Sequence, residues 1–160
     1  MIPFPIPLLI ALLAALAPVI AMASERVLGF APCALCLWQR WPYWVAVGLA
    51  LLAAIWPRGR RGLLVLAALA VLASGAIATL HVGVEQGWWP SPLASCAAPV
   101  SAGGSSIDDL LASMAPRPDK PCDAAAYPIP QLPLSFAAMN LIYALALGGF
   151  TLICLRRRTA

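Results

Sequence analysis

Four long apolar stretches alternate with shorter polar segments along the chain, at about residues 3–24, 36–56, 62–82 and 134–155. An α-helix rises about 1.5 Å per residue, so each stretch is long enough to cross a hydrocarbon core of about 30 Å. The pattern predicts an all-α membrane protein, a four-transmembrane-helix bundle in which residues 1–160 form a single domain.

The composition supports the same class. Of the 160 residues, 62% are hydrophobic and only 10% are charged. Soluble domains carry about 25% charged residues, and a small water-soluble fold has too little interior to hide so much apolar surface. We therefore expect lipid to be the solvent for most of this surface.

The first stretch also has a feature of a signal peptide, because Ala21-Met22-Ala23 resembles a cleavage site. No Lys or Arg precedes the apolar run, however, and the run is longer than the core of a typical signal peptide. We expect a retained first helix.

The charges indicate the orientation of the helices. The net charge is +4, and arginines cluster in residues 58–61 and 156–158, whereas the acidic residues lie in the other polar segments. This is the positive-inside pattern, which places both termini in the cytoplasm and residues 25–35 and 86–133 in the periplasm. We expect the inner membrane of a bacterium as the location, with the lipid bilayer and no nucleic acid as a partner.

The long loop, residues 86–133, is rich in Pro, Gly and Ser and is predicted to be mostly irregular. One short helix is predicted within it, capped by Ser105 or Ser106. It either lies flat on the membrane or packs on the loop itself. Its apolar face consists of Ile107, Leu110, Leu111 and Met114.

Four of the five cysteines fall in the predicted periplasmic loops: Cys33, Cys36, Cys96 and Cys122. The periplasm is oxidising, so we expect these four to form two disulfides. Cys154 lies near the cytoplasmic end of the last stretch, where we interpret it as a small buried apolar residue.

Cys33 and Cys36 form a Cys-x-x-Cys motif at the start of the second helix, with Pro32 suited to its first turn. Free N–H groups and the positive end of the helix dipole favour a thiolate there, which is the reactive form in disulfide exchange. The alternatives are a structural disulfide or, with His81, part of a zinc site. The other two cysteines are far apart in the sequence and the compartment is oxidising, so we expect no metal.

Gln39 and Arg40 follow Cys36 at helical spacings of three and four residues, so the three share one face. A buried arginine beside a reactive cysteine can donate a hydrogen bond to a carbonyl oxygen and stabilise negative charge there; the alternative is that its side chain snorkels to lipid headgroups. Trp38 and Trp41 flank this face and supply either aromatic walls for a ligand or part of an interfacial belt.

Residues 33–40, Cys-Ala-Leu-Cys-Leu-Trp-Gln-Arg, resemble the Cys-x-Leu-Cys-x-x-Gln-Arg signature of the DsbB family of disulfide bond formation proteins. Residues 89–96, together with Cys122, resemble the second periplasmic loop of that family. The predicted topology agrees with the family along nearly the whole chain.

The resemblance implies a role for each cysteine pair. Cys96 and Cys122 would form a disulfide that a reduced DsbA-like periplasmic thioredoxin-fold protein attacks at Cys96. Electrons would pass to Cys33 and Cys36, then to a membrane quinone, ubiquinone or menaquinone, with Cys36 and Arg40 at the quinone. The DsbA–DsbB–quinone route is known to keep the bacterial periplasm oxidising.

His81 and Glu85 lie one helical turn apart at the end of the third stretch, and members of the family carry similar His/Glu-bearing segments. They either sit near the quinone and relay protons or face the lipid headgroups as a polar pair at a helix end.

Other functions remain open from the sequence. A vitamin K epoxide reductase-like protein also combines four helices, a Cys-x-x-Cys motif and a quinone, although its motif usually lies in a late helix. A non-catalytic membrane subunit with two structural disulfides is the alternative from a different class. Within the family, a DsbI-like relative would serve a dedicated partner.

Overall fold

The computed structural model describes residues 4–93, 96, 121–129 and 131–156. These residues form four α-helices and no β-strand, which confirms the all-α class. The short helix predicted around residues 105–114 lies outside the described residues. The four helices are α1 (Pro5–Leu28), α2 (Ala34–Ile55), α3 (Arg60–Glu85) and α4 (Phe136–Arg156).

Three helices are long and apolar enough to cross a membrane: α1, α3 and α4, with mean hydropathies of 2.6, 2.5 and 1.9. The mean hydropathy of helix α2 is too low for it to be counted with these three, because residues 38–44 (Trp-Gln-Arg-Trp-Pro-Tyr-Trp) are all polar, aromatic or proline. The second of the four expected spans therefore stays a prediction.

The connection between α1 and α2 is shorter than the predicted loop of residues 25–35. Helix α1 runs on to Leu28, so Glu25 lies inside the helix, and Gly29 ends it in the left-handed conformation at φ 69°. Helix α2 begins at Ala34 with Cys33 as its N-cap. Pro32 thus precedes the helix, and the expectation that it occupies the first turn was wrong.

The helices pack in chain order, α1 on α2, α2 on α3 and α3 on α4, and α1 also contacts α4. Small residues permit close approach of α3 and α4: a Cβ on Gly75 would lie 3.1 Å from that of Ala144, and one on Gly148 would lie 2.7 Å from Leu72. Such contacts replace the hydrophobic effect as the source of helix association in lipid. A Cβ on Gly149 would meet no other atom within 4 Å, so the absence of a side chain there is not required by this packing.

The outward surface of the bundle is apolar. Large side chains on all four helices are exposed, and this is the surface expected to contact lipid tails. They include Leu12, Leu51, Leu69 and Leu145.

The end of α3 directs the following loop back over the bundle. Gly87 has a φ of 70°, and the N–H of Trp88 donates to the carbonyl of Gly83 at 2.9 Å, which is a Schellman ending. The indole of Trp89 donates to the carbonyl of Leu80 at 3.0 Å and covers Gly83 so closely that a Cβ there would lie 2.0 Å from the ring. This contact anchors the beginning of the long loop to α3.

Candidate active site

Both cysteine pairs lie in one buried cluster at the end of the bundle where α2 begins and α3 ends. Cys96 and Cys122 form a disulfide, the pairing that the family resemblance implies. The N–H of Cys122 also donates to the carbonyl of Cys96 at 3.2 Å. Cys33 is buried in the same cluster, against Val84 from α3. Two segments 60 or more residues apart in the chain thus bring their sulfur atoms into one apolar environment.

Cys33 and Cys36 are not bonded to each other, and their sulfur atoms are 2.7 Å apart. One of the two expected disulfides is therefore present as two thiols in contact. Since a sulfur–sulfur bond is about 2.05 Å long, the disulfide requires a shift of less than about 1 Å.

The position of Cys33 at the N-cap gives its sulfur a specific donor. Its backbone is extended (φ −87°, ψ 168°), and Sγ accepts a hydrogen bond from the backbone N–H of Cys36 at 3.2 Å. An N-cap side chain meets N–H groups that have no partner within the helix, together with the positive end of the dipole. These are the conditions that stabilise a thiolate.

His81 faces the cysteines, and Glu85 lies behind it, rather than either facing the headgroups. Both side chains are only 3% exposed, so the alternative of a headgroup-facing polar pair was wrong. The His81 Nε2 lies 3.5 Å from the Cys33 sulfur and 3.8 Å from the Glu85 carboxylate. The carboxylate in turn accepts a hydrogen bond from the hydroxyl of Ser135, and Gln39 contacts the other ring nitrogen of His81 at 2.8 Å.

Three residues that the sequence did not single out extend this polar network. Asn140 of α4 contacts Gln39, Ser74 and Tyr43 through its amide group, at 2.8, 3.2 and 2.8 Å. Ser74 and Asn140 are isolated polar residues inside apolar stretches, which is a signal of function in membrane helices. That signal alone does not reveal that both would meet at Gln39.

Arg40 lies beside the cysteines and forms an ion pair with Glu25 of α1. The Arg40 Nη1 is 3.2 Å from the Glu25 Oε2, and the two side chains are 15% and 23% exposed. The side chain therefore stays within the bundle and does not snorkel. Among the described residues, the Arg40 Nε–H is the one buried side-chain polar group without a hydrogen-bond partner.

A cavity of about 230 Å³ lies between α1, α2, the end of α3 and α4, next to these groups. Cys36, Arg40 and His81 line it together with apolar and aromatic side chains. Trp38 and Trp41 do not line it, and they are 57% and 71% exposed. Of the two alternatives for these residues, the aromatic walls were therefore wrong, and an interfacial position fits them better. The aromatic lining instead comes from Phe30, Tyr43, Phe136 and Tyr143.

The lining fits a quinone head. Pockets for drug-sized molecules measure about 300–1,000 Å³, so this slightly smaller volume suits a single substituted ring with its tail outside. A quinone carries carbonyl oxygens, and the guanidinium of Arg40, which lines the wall, is a group that donates hydrogen bonds to such oxygens.

The same residues also have the spacing of a cation site. One ligand atom from each of Cys33, Cys36 and His81 lies within 4.8 Å of the others. Thiolate and imidazole are the ligands that zinc prefers. The absence of a metal stays a prediction.

The model of the family "Disulfide bond formation protein DsbB" matches residues 5–154, which include α1, α2, α3, most of α4 and both cysteine pairs. No curated protein and no solved structure matches the chain. The match favours a membrane disulfide oxidoreductase over the vitamin K epoxide reductase-like alternative. The chain belongs to the DsbB family of disulfide bond formation proteins.

Proposed function

We propose that this protein re-oxidises a periplasmic DsbA-like thioredoxin-fold protein and passes the electrons to a membrane quinone. The observation that carries the proposal is the single buried cluster of two cysteine pairs beside a cavity that Cys36 and Arg40 line. A scaffold protein with structural disulfides has no need for such a cavity.

In the first exchange, a thiolate of the reduced partner attacks Cys96, and Cys122 leaves with the electron pair of the broken sulfur–sulfur bond. The second thiolate of the partner then attacks its own sulfur in the mixed disulfide, and Cys96 leaves. The partner ends as a disulfide, and the loop pair ends reduced by two electrons. Cys96 and Cys122 belong to a loop, which can reach a soluble protein.

In the second exchange, the loop thiolates reduce the disulfide between Cys33 and Cys36 in the same way, which restores the disulfide of the loop. The burial of Cys33 with Cys96 and Cys122 supports a direct transfer.

At the cavity, Arg40 and Cys36 would hold the quinone head, which when bound would accept two electrons and two protons. The guanidinium of Arg40, which Glu25 holds in place through its Nη atoms, would donate a hydrogen bond to a ring oxygen. Phe30 and Phe136, whose rings meet edge to face at 5.4 Å, exclude water from the wall. His81 and Glu85 stand next to the cysteines, where they can move protons.

We place both termini in the cytoplasm of a bacterial cell and α2 across the inner membrane as the fourth span. The arginines support this orientation, since Arg60 lies at the end of the bundle opposite to the cysteines. Its guanidinium donates there to the carbonyls of Ala53 and Ala54, at 2.9 and 3.2 Å. Positive charge on the side opposite to the reactive sulfurs is what a periplasmic active site requires.

The test uses the full chain in lipid nanodiscs, with Cys154→Ser as the background so that all remaining thiols belong to the two pairs. A reduced thioredoxin-fold oxidase is added with a short-chain ubiquinone, with a menaquinone, or with neither, and its thiols are counted over time. We expect the thiols to disappear catalytically only when a quinone is present.

The variant Cys36→Ser is the matched control and should abolish turnover. If the disulfide between Cys96 and Cys122 never opens in the presence of the reduced partner, the protein is a non-catalytic subunit. If turnover proceeds at the same rate without any quinone, the electron acceptor has been misidentified.

A further inference from the structure

The only histidine in the chain stands at the end of a row of hydrogen bonds that crosses three helices. The row runs from Tyr43 to Asn140, then to Gln39, and then to His81. The orientation of an amide and the tautomer of a histidine follow from such a network, because each donor must meet an acceptor.

Ser74 fixes the direction of this row. It is fully buried, and its hydroxyl donates its one hydrogen to the main-chain carbonyl of Gln39 at 2.8 Å. Towards Asn140, 3.2 Å away, the hydroxyl oxygen can therefore only accept. The amide atom of Asn140 on that side must be the nitrogen.

The remaining orientations follow in turn. The Asn140 nitrogen also donates to the Gln39 Oε1 at 2.8 Å, while the Asn140 oxygen accepts from the hydroxyl of Tyr43 at 2.8 Å. Gln39 thus turns its own nitrogen towards the His81 Nδ1, also at 2.8 Å. A neutral ring nitrogen that accepts a hydrogen bond carries no proton, so the proton of the imidazole sits on Nε2.

We propose that Asn140, oriented by Ser74, is a positioning residue that acts through Gln39 to hold His81 neutral and protonated on Nε2. The Nε2–H then points at the Cys33 sulfur, 3.5 Å away. For its catalytic consequence the inference rests on the proposed function, in which Cys33 must leave as a thiolate.

The Cys33 thiolate then receives two donors, the backbone N–H of Cys36 at 3.2 Å and the ring N–H of His81. The other ionisable groups near this ring are Cys36 and Glu85; the Glu85 carboxylate, 3.8 Å from Nε2, also favours a proton on that nitrogen. A protonated Nε2 has no lone pair for a cation, which is a physical reason to expect no zinc here.

The presence of a single histidine makes the test direct. The full chain is labelled with ¹⁵N-histidine in nanodiscs, its disulfide between Cys96 and Cys122 is kept, and the two ring nitrogens are read by NMR. We expect one neutral tautomer with the proton on Nε2. A proton on Nδ1 in the unmodified protein, or on both nitrogens, overturns the inference.

Two variants test the action at a distance. In Asn140→Ala nothing fixes the Gln39 amide, so both tautomers should appear; Ser74→Ala is the milder variant and should produce the same mixture to a smaller extent. Thr79→Ala is the control, because Thr79 lies on α3 with Ser74 and His81, and its hydroxyl donates to the carbonyl of Gly75 and not to this network. A pure Nε2–H tautomer in both network variants overturns the role of Asn140.

A second measurement follows the consequence for Cys33. In a Cys36→Ser background, the rate of alkylation of Cys33 against pH reports its thiolate fraction. The loss of a hydrogen bond to a charged group changes such an equilibrium by about tenfold. Asn140→Ala should therefore lower the thiolate fraction of Cys33 at neutral pH by up to about tenfold. An unchanged profile overturns the consequence for Cys33. Neither readout needs quinone, so the proposed function and this inference fail separately.

Discussion

The ion pair between Glu25 and Arg40 offers the sharpest test of the cavity as a quinone site. Glu25→Gln removes the charge of the partner but keeps the shape of the side chain. The guanidinium then loses the carboxylate that fixes its orientation beside the cavity. We expect a weaker and less specific interaction with a ring oxygen, and therefore a higher KM for quinone.

The magnitude follows from the burial of the pair. Exposed ion pairs contribute about 0.2–1 kcal/mol, and breaking a fully buried pair costs about 3–5 kcal/mol. The two side chains are 15% and 23% exposed, which places this pair between the limits. A cost of about 1–3 kcal/mol to the fold is the upper limit for the loss in quinone binding, so KM should rise by at most about 5- to 150-fold, at tenfold per 1.4 kcal/mol.

The assay is quinone reduction under excess reduced partner, with KM and kcat determined for Glu25→Gln, Arg40→Gln and the double variant. The effects of the two single changes should not add, since each removes the same pair. Arg26→Gln is the control, because it changes one charge on the exposed side of the same helix. An unchanged KM in Glu25→Gln, or full additivity in the double variant, would refute the assignment of Arg40 to the quinone.

Three further changes probe other parts of the fold. Cys154→Ser should leave turnover intact, because this residue lies in the last turn of α4, next to Leu155, which packs with Leu64 at the end of the bundle away from both pairs; a large loss of turnover would contradict that. Gly83→Ala brings a Cβ to 2.0 Å from the indole that packs on it, so it should loosen the start of the loop and slow exchange between the pairs in stopped-flow measurements, with Cys36→Ser as the baseline. Gly75→Val places new atoms against Ala144 and should lower the free energy of unfolding by about 1–3 kcal/mol, measured against Gly149→Val, which meets open space.

The sequence predicts the helices well because their signal is local. A run of about 20 apolar residues needs no tertiary information to be read as a helix in lipid, and the position of Cys33 at the mouth of α2 follows from the same local pattern. The grouping of Cys36, Gln39 and Arg40 on one face also held, since helical geometry alone brings residues three and four apart together.

The sequence alone does not predict the partners of these residues, because the partners come from other helices. Glu25 escaped notice since the loss of hydrophobicity after Ser24 resembles the end of a helix, whereas the helix runs on to Leu28. The charge on Glu25 is compensated by Arg40 from α2, and no local pattern encodes that contact. The face of α2 that packs against the other helices is also not encoded locally, and Trp38 lies on the exposed face.

The two cysteines of the motif occupy different environments, and this difference gives the proposed electron path a direction. Cys33 is buried with the loop disulfide and has the donors that suit a thiolate leaving group, whereas Cys36 is partly exposed at the cavity wall that Arg40 also lines. An exchange in which a loop thiolate attacks Cys33 first releases Cys36 as a thiolate at the cavity wall, and the second loop thiolate then releases Cys33. The tight turn between the two residues keeps the sulfurs in contact, so the same α2 N-terminus meets the loop disulfide on one side and a lipid-soluble acceptor on the other.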